Sequence, residues 1–190
     1  MTHEKFHEDM CNDVNHRILL WQALNSTKGA VVEYGSGHGS TPYLRAYCRN
    51  QGRKFLSYDF NKDWSEKMQS TLVMDWATVH AQACGSVILI DHSPGEDRKH
   101  ALKALANSFD ILVIHDTEPT GAGDYQVRPL FKEFKYVAEI PTDGAWTTAV
   151  SNVIDITAWD GITYTAKNGK VYTIKAGIQT VTQETTDQRK

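Results

Sequence analysis

The stretch VVEYGSGHGS, residues 31–40, joins a short apolar strand to a turn with three glycines. A glycine omits the side chain where the chain must turn sharply or where its backbone approaches a ligand. A helix that follows such a turn presents free N–H groups toward the same place, which suits a nucleotide-type cofactor. The stretch therefore predicts a strand, a ligand-binding turn and a helix.

The spacing of the glycines distinguishes two kinds of cofactor. A dinucleotide-binding turn reads Gly-x-Gly-x-x-Gly, and its third glycine would fall at position 40, which is Ser40. The third glycine is Gly39 instead. Glu33, two residues before Gly35, also suits a positively charged ligand better than a pyrophosphate. The turn therefore favours a cationic cofactor over NAD.

Length and composition predict one cytoplasmic domain. The chain has 190 residues, enough to bury a sheet on both faces. Its net charge of −3 provides no basic field, which disfavours nucleic acid as a partner. No apolar run approaches the roughly 20 residues of a membrane-spanning helix, and the polar N-terminus does not resemble a secretory leader. The three cysteines are widely spaced and are expected to be free thiols.

Apolar and helical segments alternate along the chain. After the first strand, strands are predicted at 54–58, 71–74, 86–91, 110–116, 136–140 and 147–153, the last two as an antiparallel hairpin. Helices are predicted at 40–50, 64–70, 76–83, 95–108 and 124–133, with a glycine-rich loop at 117–123. The units are an N-terminal helical segment (1–28), a main domain (29–158), a β-hairpin on Asn168-Gly169 (159–182) and a polar tail (183–190).

Acidic residues end several of these strands. Glu33, Asp59, Asp91 and Asp116 each lie at or near the end of an apolar run. In an open α/β sheet, ligands bind outside the carboxyl ends of the strands. These four residues are therefore expected at one cleft.

The pattern Glu33-x-Gly-x-Gly-x-Gly and the order of elements over roughly residues 29–154 resemble the class I S-adenosylmethionine-dependent methyltransferases. The resemblance implies an α/β, Rossmann-like fold: a mostly parallel seven-stranded sheet with a terminal antiparallel strand and helices on both faces. It implies that Asp59 binds the cofactor ribose and that Asp75 contacts the adenine amino group. The full set of implied cofactor-binding residues is Glu33, Gly35, Ser36, Gly37, Gly39, Asp59, Asp75 and Asp91.

A metal site is a further implication of the resemblance. Caffeoyl-CoA O-methyltransferases and cephalosporin hydroxylase-like proteins hold a divalent cation with acids after the fourth and fifth strands, about 25 residues apart, as Asp91 and Asp116 are. The former have Asp-Asn after the fifth strand, where this chain has Asp116-Thr117, so His115 or Glu118 would replace the amide ligand. The candidate ligands for Mg²⁺ or Mn²⁺ are Asp91, His115 and Asp116.

Histidines beside the strand-ending acids are candidate catalytic bases. A hydroxyl acceptor needs a base or a metal to favour its oxyanion, and a neutral imidazole titrates near working pH. The candidate catalytic residues are Asp91, His92 and His115. Arg98 and Arg128 are expected at the solvated surface, although either could hold an acidic acceptor.

The resemblance implies S-adenosylmethionine-dependent methyl transfer to a small-molecule acceptor, with a hydroxyl as the favoured acceptor group. Two alternatives stay open: a metal-dependent hydroxylase-like enzyme on the same fold, and a catalytically inactive S-adenosylmethionine-binding scaffold. The strand predicted at 171–174 also offers an edge through which a homo-oligomer could form.

Overall fold

The computed structural model describes residues 16–119, 125–166 and 168–179. Its helices are α1 (His16–Ser26), α2 (Thr41–Gln51), α3 (Lys62–Met68), α4 (Trp76–His80) and α5 (Arg98–Leu105). Its strands are β1 (Val31–Tyr34), β2 (Phe55–Asp59), β3 (Thr71–Leu72), β4 (Gly85–Ile90), β5 (Phe109–His115), β6 (Tyr136–Ile140), β7 (Thr147–Ser151), β8 (Thr163–Thr165), β9 (Val171–Thr173) and β10 (Lys175–Ile178). Short 3-10 helices cover Gly95–Asp97, Arg128–Glu133 and Thr157–Trp159.

Eight of the described strands form one sheet, in the order β10-β6-β7-β5-β4-β1-β2-β3. Strands β1 to β5 pair in parallel, whereas β7 is antiparallel to both β5 and β6. The predicted Rossmann-like α/β fold and the hairpin of β8 with β9 are confirmed. The strand count differs from the predicted seven, because β10 pairs with β6 and extends the sheet by one antiparallel edge strand.

Helices cover both faces of the sheet. Along β4, Val87 and Leu89 contribute to one hydrophobic cluster, and Ile88 and Ile90 contribute to the other. Successive side chains of a strand point to opposite faces, so an apolar side chain at every position implies burial on both sides. Residues of α1 and α2 complete the first cluster, and residues of α4 and α5 complete the second.

The other predicted helices differ from the observed ones mainly in helix type and in length. The helix predicted at 95–108 begins with a 3-10 turn before α5. In the helix predicted at 124–133, the described residues form a turn at 125–127 and then the 3-10 helix Arg128–Glu133. The tail 183–190, the first part of the N-terminal helix and most of the loop 117–123 lie outside the described residues. Among the described helices, none is both long and apolar enough to cross a membrane.

The turn after β1 packs directly against the chain that leaves β4. The N–H of Asp91 donates to the carbonyl of Tyr34 over 2.8 Å. Gly35 has φ +86°, and a Cβ there would lie 2.3 Å from the carbonyl oxygen of Asp91. Both the backbone angle and the close approach therefore require glycine.

We expect Gly35→Ala to destabilise the fold far more than Gly52→Ala. Gly52, which ends α2, also has a positive φ (+63°), but a Cβ there would meet nothing within 4 Å. The Gly52 variant should lose about 1 kcal/mol of unfolding free energy from backbone strain alone. The Gly35 variant should lose roughly 3 kcal/mol or more, because steric overlap is added. Urea denaturation measures both, and equal losses would contradict the close approach.

Candidate functional site

A cavity of ≈ 480 Å³ lies beside the glycine turn, at the carboxyl ends of β1, β2 and β4. It is lined by Gly35, Ser36, Asp59, Phe60, Asn61, Asp63, Trp64, Lys67, Asp91 and Ser93. A second cavity of ≈ 400 Å³ shares Phe60 with the first and includes Asp75 and Trp76 in its wall. The strand ends thus form a cleft where the sequence predicts one.

Asp59 fixes the glycine turn against β2. Its Oδ2 accepts hydrogen bonds from the Ser36 N–H (2.9 Å) and the Ser36 hydroxyl (3.0 Å), and its Oδ1 accepts one from the Asn61 N–H (2.9 Å). A carboxylate offers about four lone-pair sites, so these bonds leave acceptor capacity at the cavity wall. The position is compatible with the predicted ribose contact.

Glu33 lies beneath the turn and away from solvent. Its carboxylate accepts hydrogen bonds from Ser40 Oγ (2.5 Å), Thr41 Oγ1 (2.8 Å) and Ser57 Oγ (2.5 Å). Burial raises the pKa of Glu33 to about 7, although these hydroxyls oppose the rise. The side chain is 0% exposed, so its position favours anchoring the turn to α2 and β2 over the predicted cofactor contact.

The rest of the turn is held from both sides. The Gly37 N–H donates to Thr41 Oγ1 (2.8 Å), while a Cβ at Gly37 would meet its nearest atoms only at 3.9 Å. The Gly39 carbonyl accepts from Arg17 Nε of α1 (2.5 Å). The surface at Gly37 is therefore open, as a ligand-facing position requires, and α1 closes the far end of the turn.

Asp75 caps helix α4. Its carboxylate accepts from the Ala77 N–H (3.0 Å) and the Thr78 hydroxyl (2.8 Å), and the Thr78 bond is the main reason that its pKa is lowered. Its predicted adenine contact stays a prediction that the second cavity accommodates. The neighbouring Trp76 is buried in the core.

Four side chains after β4 and β5 form an ionic cluster. Arg98 Nη2 lies 3.1 Å from Asp91 Oδ1, and Arg98 Nη1 lies 2.8 Å from Asp116 Oδ2. His115 Nδ1 lies 3.2 Å from Asp91 Oδ1 and 3.3 Å from Asp116 Oδ1. The predicted convergence of Asp91, His115 and Asp116 is therefore present, whereas the surface position expected for Arg98 is wrong, since this residue is 5% exposed.

The cluster shifts two pKa values in opposite directions. Burial acts to raise the pKa of Asp91, but the hydrogen bond and charge of His115, with the charges of His16 and Arg98, outweigh it and lower the pKa. Burial likewise acts to lower the pKa of His115, but the hydrogen bond and charge of Asp91 and the charge of Asp116 raise it. The pair thus stabilises the Asp91 carboxylate and makes the neutral His115 imidazole a stronger base.

His16 joins this cluster from the start of α1. Its ring packs edge-on against the ring of His115, with centroids 4.9 Å apart. It is 3% exposed, and neither of its ring nitrogens has a hydrogen-bond partner within the described residues. Burial lowers its pKa to about 3, with smaller contributions from the charges of His115 and Arg17, while the Asp91 charge and the Gly39 backbone oppose the shift. Sequence reasoning missed His16, because no local pattern indicates which strand ends α1 packs against.

His92 is part of the core and not of the cavity wall. It is 0% exposed, and its ring centroid lies 4.3 Å from that of Trp76 and 5.7 Å from that of Tyr34. Burial lowers its pKa to about 3. A base must reach the proton that it removes, so this position favours packing over the predicted catalytic role.

The predicted Mg²⁺ or Mn²⁺ site does not fit the arrangement of Asp91 and Asp116. Hard cations take oxygen ligands, chiefly carboxylates, carbonyls and water. Here the Arg98 guanidinium binds an oxygen of each carboxylate and so holds the position of a bridging cation.

Arg128, the other arginine expected at the surface, is half-buried and binds the Thr117 carbonyl and Glu139 Oε2, each at 2.5 Å.

Comparison with known proteins places the fold but not the family. No protein-family model and no curated protein matches the sequence. A Streptococcus pneumoniae structure, a putative tRNA (m1A22) methyltransferase in complex with S-adenosyl-L-methionine, aligns with a TM-score of 0.50 and 15% identity over 75% of each chain. A probable spermidine synthase from Corynebacterium glutamicum aligns with a TM-score of 0.52 and 11% identity over 73% of this chain and 61% of its own. The fold is therefore that of class I methyltransferases and related transferases.

We expect His92→Leu to stabilise the protein, and more so in acid. The replacement removes a buried imidazole that has no hydrogen-bond partner among the described residues, and such a group costs roughly 1–3 kcal/mol. The unfolded chain protonates His92 near pH 6.5 and the folded chain only near pH 3, so wild-type stability that is present above pH 6.5 is lost as the pH falls. The variant lacks this loss, and its advantage should grow by about 1–2 kcal/mol from pH 7 to 5. Denaturation at both pH values checks this, and a constant difference would contradict it.

We expect Glu33→Gln to change the pH dependence with the opposite sign. The unfolded chain releases the Glu33 proton near pH 4.5 and the folded chain near pH 7, so the contribution of Glu33 to stability is present below pH 4.5 and lost as the pH rises through 7. The stability of Glu33→Gln relative to wild type should therefore rise between pH 5 and 8. The exposed Glu66→Gln serves as the control and should show no such trend.

Proposed function

We propose that this protein binds S-adenosylmethionine in the ≈ 480 Å³ cavity and transfers its methyl group to a hydroxyl of a small-molecule acceptor. The observation that carries the proposal is an acidic cavity beside a glycine turn, at the carboxyl ends of three parallel strands. Ligands of open α/β sheets bind at this position. The shared fold of the S-adenosyl-L-methionine complex supports the choice of cofactor.

The charge of the cavity suits a cationic ligand. Among the described residues, its wall carries the carboxylates of Asp59, Asp63 and Asp91 and one cation, Lys67. The cofactor has a sulfonium and an ammonium group, which these carboxylates would attract. A pyrophosphate would be repelled. A cationic cofactor is thus favoured by Asp59, Asp63 and Asp91 at the cavity wall, and not by the buried Glu33 from which the sequence predicts it.

The cofactor supplies an electrophilic methyl group. In the transfer, the bond from methyl carbon to sulfur breaks with its electron pair on sulfur, and a bond from the acceptor oxygen to the methyl carbon forms. The acceptor proton must leave, and His115 is the base that we propose, with Asp91 holding the resulting imidazolium. The 3.2 Å contact between His115 Nδ1 and Asp91 Oδ1 supports this pairing. Of this pair, Asp91 lines the cavity, and His115 contacts it without forming part of the wall.

The acidity of the site also supports a small acceptor over a nucleic acid. Phosphates would meet the cavity carboxylates and a chain with net charge −3. We therefore do not propose tRNA, which the name of the Streptococcus protein mentions, as the acceptor of this protein. Positioning of the two reactants would supply most of the rate acceleration.

Calorimetric titration with S-adenosylhomocysteine tests the cofactor assignment. We expect saturable binding by wild type and binding weakened roughly tenfold or more by Asp59→Asn, because a charge-assisted ribose contact is worth about 1.5–3 kcal/mol. Asp110→Asn is the charge-matched control. Asp110 lies near the amino end of β5, away from the carboxyl ends that form the cavity, so this variant should bind as wild type does.

Two further measurements make the result decisive. Ser36→Ala removes one hydrogen bond from Asp59 without changing its charge, so a much smaller effect than that of Asp59→Asn separates ligand contact from support of the turn. Heat from NAD but none from S-adenosylhomocysteine would refute the proposal. A screen of hydroxylated acceptors with labelled cofactor then identifies the acceptor class.

A further inference from the structure

His16, Asp91 and His115 bring two imidazoles and one carboxylate together at the end of the sheet. Each offers one ligand atom, and these atoms all lie within 4.8 Å of one another. The three residues come from α1 and from the ends of β4 and β5, so the fold and not a local motif assembles them. We propose that this trio binds a divalent first-row transition metal ion.

The separations are close to those of a metal site. Two ligands on a tetrahedral Zn²⁺ stand roughly 3.3 Å apart, given metal–ligand bonds of about 2.0–2.1 Å. His115 Nδ1 and Asp91 Oδ1 already lie 3.2 Å apart. Only the ring of His16 needs to approach, and this ring already packs against that of His115.

The state of His16 is an independent indication of a ligand. Burial of a polar group without a hydrogen bond costs free energy, and buried polar atoms are therefore nearly always partnered. Both ring nitrogens of His16 lack a partner within the described residues, and the side chain is buried. A metal ion would satisfy one of these nitrogens at the place where two further ligands converge.

The composition of the trio selects the class of metal. Imidazole ligands suit Zn²⁺, Fe²⁺, Co²⁺ and similar ions, whereas Mg²⁺ and Ca²⁺ prefer oxygen throughout. Arg98 takes the place of a cation between Asp91 and Asp116, but the trio does not include Asp116. Carboxylates that bind metals are commonly hydrogen-bonded by a second residue, as Asp91 is by Arg98. Its contact with Asp91 would orient that carboxylate, and its contact with Asp116 balances the remaining charge.

The metal would lie at the wall of the ≈ 480 Å³ cavity, because Asp91 also lines that cavity. Three protein ligands leave a coordination position for water or for an acceptor oxygen, and a bound metal lowers the pKa of such a hydroxyl. The ion would then take over the role that His115 has as a base. Metal binding itself does not depend on the proposed methyl transfer and is measured without the cofactor.

The test uses tag-free protein stripped with chelator and titrated with Zn²⁺ by calorimetry and with Co²⁺ by absorption spectroscopy. We expect one ion per chain and Co²⁺ ligand-field bands without a thiolate charge-transfer band. His16→Phe keeps a buried ring against His115 but no ligand atom. It should weaken Zn²⁺ binding by more than the roughly 10- to 100-fold that loss of an outer contact costs.

Two controls complete the design. His100→Ala removes an exposed histidine of α5, and Cys84→Ser removes an exposed thiol, and both should bind as wild type does. Absence of binding by folded wild type, equal binding by His16→Phe, or loss of binding in Cys84→Ser would each overturn the proposal. Circular dichroism verifies that the variants fold. Should His16→Phe not fold, undiminished binding by His115→Gln would overturn the proposal, and loss of binding in that variant would support it.

Discussion

The close approach of Gly35 to the backbone of Asp91 is the constraint on which the rest of the site depends. With a Cβ at position 35, the carbonyl of Asp91 would have to move, because the two atoms would lie 2.3 Å apart. The contact places the turn after β1 and the Asp91 carboxylate after β4 side by side. Both one wall of the cavity and the ionic cluster therefore depend on this contact. Glycine at this position therefore determines the site as well as the turn.

The fold could be predicted from the sequence because local patterns of apolar residues and glycines indicate most of its strands and helices. The apolar runs of β4 and β5 require burial on both faces, and the glycine turn requires a strand before it and a helix after it. The eighth strand of the sheet could not be predicted in this way. Its residues, 175–178, have no strong alternation, and their pairing with β6 depends on where the β8–β9 hairpin directs the chain.

The candidate site was predictable as a location but only partly as a set of contacts. An acid near a strand end can face the cleft or the layer beneath it, and its sequence position does not distinguish the two. Glu33 alternates with Val32 and Tyr34 along β1, so it lies on the other face, where the hydroxyls of Ser40 and of Thr41, the first residue of α2, donate to it. The roles of Arg98 and His16 could not be predicted either, because they depend on how helices α5 and α1 pack against the strand ends.

The ionic cluster explains why a buried arginine and two histidines share one end of the sheet. Asp91 and Asp116 carry two negative charges and Arg98 balances one, so either a proton on His115 or a bound cation would balance the other. A proton on His115 would balance the charge by itself, but it gives no reason for a second imidazole that is buried beside it with no hydrogen-bond partner among the described residues. A metal ion accounts for both imidazoles and for the charge at once, because each imidazole offers one ligand atom close to the Asp91 carboxylate. The need to neutralise the cluster thus connects the second histidine to the same cavity wall that the glycine turn creates.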